Sequence, residues 1–374
     1  MSARDGNLAA GRGVRPLEPA LAAFSAQIEA AAAAGTALRI VGGDTKAFYG
    51  RACGGVPLVM TGYVGIVAYE PTELVVTVRA GTRLLDLEAA LAEQGQMLGF
   101  EPPHCGDGST IGGVVASGLS GPARPYLGSV RDFVLGIDVI DGQGQLLRFG
   151  GQVMKNVAGF DVARLLAGSL GTLGAIVQVS LRVVPQPRCW RTLVWPLSAI
   201  AARAHMLALA RAPWPVTAMA FDGEHLRVRM AGSSEAVDHA VATLRPPQVA
   251  DDQQYWCGLR DFQLPFFTAA PAPLWRLSLP PAAPEHNLDG ARPPILYDWG
   301  GAQQWLKGHL DAVAVRRYAA ALGGHATLMR AQPGVPMDEP FSAPAPPFRA
   351  LMSRLKQTFD PAGLFNPGRM FAWL

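Results

Sequence analysis

The chain has 374 residues, 49% of them hydrophobic and only 16% charged, with 42 glycines, 31 prolines and a formal net charge of 32 − 29 = +3. That balance excludes a disordered polyelectrolyte, a collagen and a disulfide scaffold, and the length suits roughly two domains, with room for a third. Lysine occurs only at 46, 155, 307 and 356, the other basic residues are arginines without a basic run, and nucleic acid is therefore not an expected partner.

Met1 to Pro16 mixes Arg4, Asp5, Arg12 and Arg15 with Gly and Ala and offers no apolar signal core, so nothing in it directs secretion. Pro19 to Gly35 predicts a first helix, with a glycine where it ends, and Ala37 to Val41 a short strand opening into Gly42-Gly43-Asp44-Thr45-Lys46-Ala47. Gly65 to Ala80 carries two strand-like runs before a helical stretch, Leu84 to Gln94, and three strand-helix alternations fit this first part of the chain. Phe133–Asp141 and Gln145–Phe149 predict a hairpin across Gly142-Gln143-Gly144. Leu165 to Leu181 is uncharged but too rich in Gly, Ser and Thr for a membrane span, and its end belongs to a half-buried strand, Ala175 to Val184.

Pro185-Gln186-Pro187 marks a domain boundary, because beyond it glycine pairs thin out while tryptophan and proline increase. Residues 188–345 predict strand (192–195), helix (197–212), two strands (217–230), helix (235–244) and later strands (275–279 and 295–299). This order suits an antiparallel sheet with helices on one face. The prolines of 280–294 and 340–347 read as connectors, and the last segment carries a short helix to Phe359 before Asp360-Pro361 and Asn366-Pro367-Gly368.

Three glycine clusters could carry chemistry. Gly42–Ala47 follows a strand, where glycines let several backbone N–H groups converge on a phosphate; it is also compatible with an ordinary turn and matches no standard nucleotide fingerprint. Gly106 to Pro122 (GDGSTIGGVVASGLSGP) suits close approach of backbone to a flat or phosphorylated ligand, or else a flexible loop, against which Val114-Val115 and the lack of charge speak. Gly168 to Gly174 (GSLGTLG) suits a ligand-facing loop or a tight turn before a strand. Cys53, Cys105, Cys189 and Cys257 lie far apart, with no C-x-x-C spacing, so neither a metal site nor an iron–sulfur cluster is expected in this chain.

The order GGDT, RAGTRLLDLEAALAEQGQ, STIGG and VMKNVAGFDVARLLAGSLGTLGAI, with the C-terminal TFDPAGLFNPGRM, resembles the flavin-binding domain of the vanillyl-alcohol oxidase/PCMH superfamily. Within it, ASGLSGPARPYLGSVRDFVLG and LRFGGQVMKNVAGFDVARLLAGSLG resemble the smaller FAD-binding subunits of bacterial glycolate oxidases (glycolate dehydrogenases). The resemblance implies an α+β fold: a PCMH-type FAD-binding domain of two α/β subdomains over 1–187, an antiparallel α+β cap over 188–345, and a segment 346–374 returning to the FAD domain. It further implies that Gly42, Gly43, Asp44, Thr45, Lys46 and Ala47 wrap the FAD pyrophosphate. Gly108, Ser109, Thr110, Gly112, Gly113, Ala116, Ser117 and Gly118 would run beside the ADP and flavin. Gly171, Thr172, Leu173, Gly174 and Ile176 would meet flavin or ribityl with backbone groups, and Asn366 would close the site from the tail.

Many members of the superfamily attach FAD through a histidine beside the pyrophosphate loop; here those positions are Asp44 and Thr45, and the offset of Cys105 does not fit a second attachment, so non-covalent FAD is expected. Oxidising a 2-hydroxy acid also needs a base for the hydroxyl proton and a cation for the carboxylate. Catalytic relatives carry an H-x-H-x-G-D-G-N-type cap motif that this chain lacks: its seven histidines are scattered, and Gly323-Gly324-His325 is not followed by Asp-Gly-Asn. Arg124 and Arg131 suit a carboxylate, a FAD phosphate or a structural role. No catalytic residue can be named, and the expectation is a cytoplasmic FAD-binding subunit, without a membrane span, that joins the membrane's inner face only through its complex. That complex would oxidise glycolate, and D-lactate, to the 2-oxo acid, with substrate groups on a larger FAD-binding sister subunit and electrons leaving through an iron–sulfur subunit. A self-sufficient hydroxy-acid or sugar-acid dehydrogenase and a cofactor-free scaffold are the alternatives.

Overall fold

A computed structural model describes residues 17–151, 161–284, 288 and 293–374. Met1–Pro16 and the VMKNVAGF part of the resemblance lie outside the described residues.

The first helix, Pro19–Ala34, starts on a proline and stops at Gly35 in the left-handed region (φ +61°), burying Leu21, Ile28 and Ala31. They cover a parallel pair of strands, Leu38–Val41 and Val56–Val59, in the register Leu38 opposite Val56. The segment 42–55 is the crossover between these two strands, which places the first glycine cluster at the end of the first strand. Phe365 of the tail bridges to Leu38 on the other side.

A five-stranded antiparallel sheet follows, in the order Ile66–Glu70, Val75–Arg79, Ala175–Arg182, Val134–Ile140, Leu146–Gly150. The hairpin is as read from the sequence. The strand-helix alternation is different: the first two strands pair directly, joined by a single helical turn, Pro71–Glu73, because Leu74 takes a left-handed conformation and turns the chain straight back. Helices Leu84–Ala92, Ile111–Ser117 and Val162–Leu166 cover one face, around Val78, Leu87, Val115, Phe133 and Val179. Ile140, Ala175 and Val177 face the first helix instead.

Apart from a short antiparallel pair, Gln96–Met97 with Val184–Pro185, the remaining strands form one eight-stranded sheet, antiparallel at every junction. Gln248–Ala250, Cys189–Pro196, His225–Gly232 and Val216–Phe221 make one half; Ile295–Asp298, Gln303–Lys307, Leu274–Ser278 and His325–Arg330 make the other. The halves meet at one bridge, Phe221 with Tyr297. Helices Ala199–Ala210, Ser234–Leu244 and Ala312–Ala321 pack on the outer face. The inner face is covered by helix Gln253–Arg260 and by Tyr49, Leu119 and Leu170 from the other part of the molecule, so helices lie on both faces rather than one.

Candidate functional site

Gly42–Ala47 and the loop 106–113 lie against one another so closely that side chains cannot intervene. A Cβ on Gly43 would stand 1.5 Å from the Gly108 carbonyl oxygen, and one on Gly42 2.3 Å from Thr110 Oγ1. Lys46 bridges the same two loops: its buried ammonium donates to Ser109 Oγ at 2.7 Å and to the His104 carbonyl at 3.3 Å, and burial lowers its proton affinity. Thr110 Oγ1 accepts from the Gly113 amide and starts helix Ile111–Ser117, whose first two amides, of Ile111 and Gly112, donate to the carbonyls of Thr82 and Ala80.

The third cluster enters through Leu170 and Gly171. Asn366 pins it in place: Nδ2 donates to the Leu170 carbonyl at 2.7 Å, while Oδ1 accepts from the Ile40 amide at 2.8 Å. A Cβ on Gly171 would meet Asn366 Nδ2 at 2.7 Å. Asp44, Leu170 and Asn366 all hold positive φ (+54°, +53° and +42°), a conformation non-glycine residues adopt only where their surroundings impose it. Lys356 sits beneath, its ammonium donating to Asp360 and to the carbonyls of Thr172 and Phe365.

The result is a continuous cleft between the parallel strand pair, the five-stranded sheet and the tail. Of the nominated residues, Gly42 to Ala47, Ser109, Thr110, Gly112, Gly113, Ala116, Ser117, Gly171, Gly174, Ile176 and Asn366 line it. Gly108, Gly118, Thr172 and Leu173 stand behind the lining: Gly108 seats Gly43, Gly118 passes Gly168, Thr172 is turned onto the Ser169 carbonyl, and Leu173 belongs to the apolar core. Arg39, Cys53 and Arg369 line the cleft without having been nominated. Arg39 grips Asp44 through two hydrogen bonds (3.2 and 3.0 Å), and that partner raises its proton affinity. Arg369 holds the carbonyls of Arg51, Lys46 and Ala47, and burial lowers its proton affinity. The signal for both was only arginine flanking a glycine loop, in a chain that uses arginine everywhere.

Two features fit a dinucleotide. Among the described residues, the backbone amides of Gly42 to Lys46 donate to no protein acceptor, so a row of N–H groups is available to an anion along the cleft. Gly113, in contrast to Gly43, has only Thr110 Oγ1 (3.3 Å) near its missing Cβ while lining the cleft, so a side chain there would stand in the space a ligand would use. Cys105 lies off this lining, its thiol pushed up to about 11 by burial. Among the described residues there is no group of three or more His, Cys, Asp or Glu side chains that could hold a metal ion, and no helix is long and apolar enough to cross a membrane.

A family model described as an FAD binding domain matches residues 21–150. The chain is 46% identical over 348 residues to "Glycolate oxidase subunit GlcE" of Escherichia coli (strain K12), covering 93% of this chain and 96% of that one. It is 34% identical over 143 residues to "Glycolate oxidase subunit GlcD" of Bacillus subtilis (strain 168) and 33% identical over 144 residues to a "D-lactate dehydrogenase" of Anaerostipes hadrus, in each case covering 38% of this chain and only 30% of the relative. In fold it is similar to a solved alkyldihydroxyacetonephosphate synthase, with a TM-score of 0.65 and 16% identity over 92% of this chain and 74% of that chain.

Proposed function

The chain belongs to the FAD-binding family of the glycolate oxidase subunit GlcE, and from that premise we propose that it is the smaller flavin subunit of a complex oxidising glycolate, and D-lactate, to the 2-oxo acid. The observation that carries this reading is the cleft itself, in which three glycine clusters and Asn366 converge and the amides of Gly42 to Lys46 stand ready for an anion. Bound FAD supplies a two-electron acceptor. In this reading Gly42–Ala47 hold the pyrophosphate through their amides, with Lys46 keeping that loop against Ser109. Gly112, Gly113, Ala116 and Ser117 flank the ADP and flavin together with the supporting turn at Gly108 and Gly118, and Gly171, Gly174 and Ile176, backed by Thr172 and Leu173, meet the rest of the cofactor.

Attachment is non-covalent, because Asp44 is already occupied by Arg39 and neither it nor Thr45 can form the histidyl bond. FAD-binding residues lie within 1–187 and the returning tail 346–374, and 188–345 is the cap. A larger FAD-binding sister subunit carries the base and carboxylate groups of the oxidation, and an iron–sulfur subunit takes the electrons, since the four cysteines here are not clustered. The complex works on the cytoplasmic side of the membrane.

Co-purification of the complex, followed by separation of its subunits and counting of flavin and iron in each, tests the assignment. One dissociable FAD and no iron are expected on this chain. Bleaching of the FAD-loaded chain alone by glycolate at useful rates would instead favour a self-sufficient dehydrogenase, and a flavin-free chain within an active complex would make it a scaffold.

A further inference from the structure

The loop that offers its amides to an anion carries a carboxylate of its own. Asp44 sits inside Gly42–Ala47 at positive φ (+54°) and lines the same cleft as the unpaired amides of Gly42 to Lys46. A negative side chain beside such a row works against the anion, so its presence there needs a reason. Backbone conformation does not supply one, because glycine adopts left-handed φ freely and asparagine as readily as aspartate, both without the charge.

The partner of Asp44 is in the same cavity. Arg39, on the strand that feeds the loop, lines the cleft and donates from its two terminal nitrogens to the two carboxylate oxygens of Asp44, at 3.2 and 3.0 Å. This forked, two-bond geometry is the one a guanidinium also offers to phosphate oxygens. The other two cations of the lining are committed to neutral acceptors: Lys46 to Ser109 Oγ and the His104 carbonyl, and Arg369 to the carbonyls of Arg51, Lys46 and Ala47. Of these three cations, Arg39 alone forms an ion pair among the described residues, and it forms it with the loop's own carboxylate.

We infer that Asp44 is a built-in competitor for the pyrophosphate of FAD: it holds Arg39 in the unloaded chain, Arg39 passes to the pyrophosphate when the cofactor enters, and the carboxylate left beside the phosphates keeps the cofactor exchangeable. Arg39 is then a binding residue, and Asp44 a brake on affinity that acts mainly on release. The identity of the anion rests on the FAD reading; the ion pair in the amide-lined cavity does not.

Titration of the flavin-free full chain with FAD, and with ADP as a probe that carries the pyrophosphate without the flavin, tests the competition at low and high salt. Asp44→Asn, which keeps size and backbone preference, should bind both about threefold to tenfold more tightly and release FAD more slowly. Arg39→Gln should bind both about tenfold more weakly and with a flatter salt dependence, and the double variant should recover much of that loss. Arg148→Gln breaks a comparable pair, with Asp138, outside the cleft lining and should change neither affinity. Melting temperature reports separately on the fold of each variant. If the pair only clamps the loop, both single substitutions weaken FAD alike and the double variant is no better than either. That result, or unchanged affinity in Asp44→Asn, overturns the inference while bound FAD leaves the cofactor reading intact. Opposite shifts for ADP in a chain that refuses FAD would do the reverse, and uptake of neither probe would remove both.

Discussion

The glycine-lined cleft and the inner face of the eight-stranded sheet are made of different material. The cleft is built from backbone: the amides of Gly42 to Lys46, turns held at positive φ, and glycines whose missing Cβ atoms let one loop rest on another. The cap face is built from side chains, Arg276, His325, Asp298 and Gln303, set by strand register. Substitutions that break loop packing in the first region should therefore disturb fold and flavin together, whereas those in the second should alter titration and leave the fold standing.

The strongest attack on the cleft is from beneath. Lys356→Met leaves the Asp360 carboxylate, whose side chain is fully buried, without its cation, and should cost about 3–5 kcal/mol in chemical denaturation and release the flavin. Gly43→Ala forces a methyl group toward the Gly108 carbonyl and should cost about 2–3 kcal/mol, again with flavin loss measured at 450 nm. Asn366→Ala leaves the Ile40 amide and the Leu170 carbonyl unpaired, for about 2 kcal/mol in the same assay.

The cap gives a different signature. Asp298 is buried, and its carboxyl is pushed up to about 7, chiefly by that burial. The folded state then holds its proton more tightly than the unfolded chain, so the stability it contributes is present below the ordinary carboxylate range and lost as pH rises through about 7. Melting temperature should fall between pH 5 and 8 more steeply in the parent chain than in Asp298→Asn; parallel profiles would remove Asp298 as the source. The smallest effect is also the one that can break the comparison. Gly113→Ala should leave the melting temperature alone, since its Cβ meets little protein, and weaken FAD binding about tenfold in a fluorescence titration. A large loss of stability there would mean that Gly113, like Gly43, serves loop packing.

The same difference of material explains what the sequence disclosed. Glycine clusters write a backbone requirement directly into the chain, so most of the cleft lining could be named from GGDTKA, STIGG and GSLGTLG. Even there, the reason for the glycines differs from the expectation: Gly42, Gly43 and Gly171 are small so that protein can approach protein, and only Gly113 has its open side on the cleft. Val56–Val59 carries no strand pattern in its sequence, because glycines and a proline interrupt its segment and Leu58 is its one buried residue. Gln303–Lys307 and His325–Arg330 are equally silent in the sequence, because polar residues occupy inward positions where strand patterns call for apolar ones. Arg276 and His325 come to stand on adjacent strands only through the pairing of Leu274–Ser278 with His325–Arg330, a relation that no local pattern records.

The central claim is that this chain, by itself, has a dissociable FAD site in the glycine-lined cleft. Titration of the purified flavin-free chain with FAD, followed by acid precipitation, tests it most directly. Saturation at one FAD per chain, with all flavin recovered in the acid supernatant, is the predicted result. Failure to take up FAD, or flavin retained in the precipitate, would contradict it.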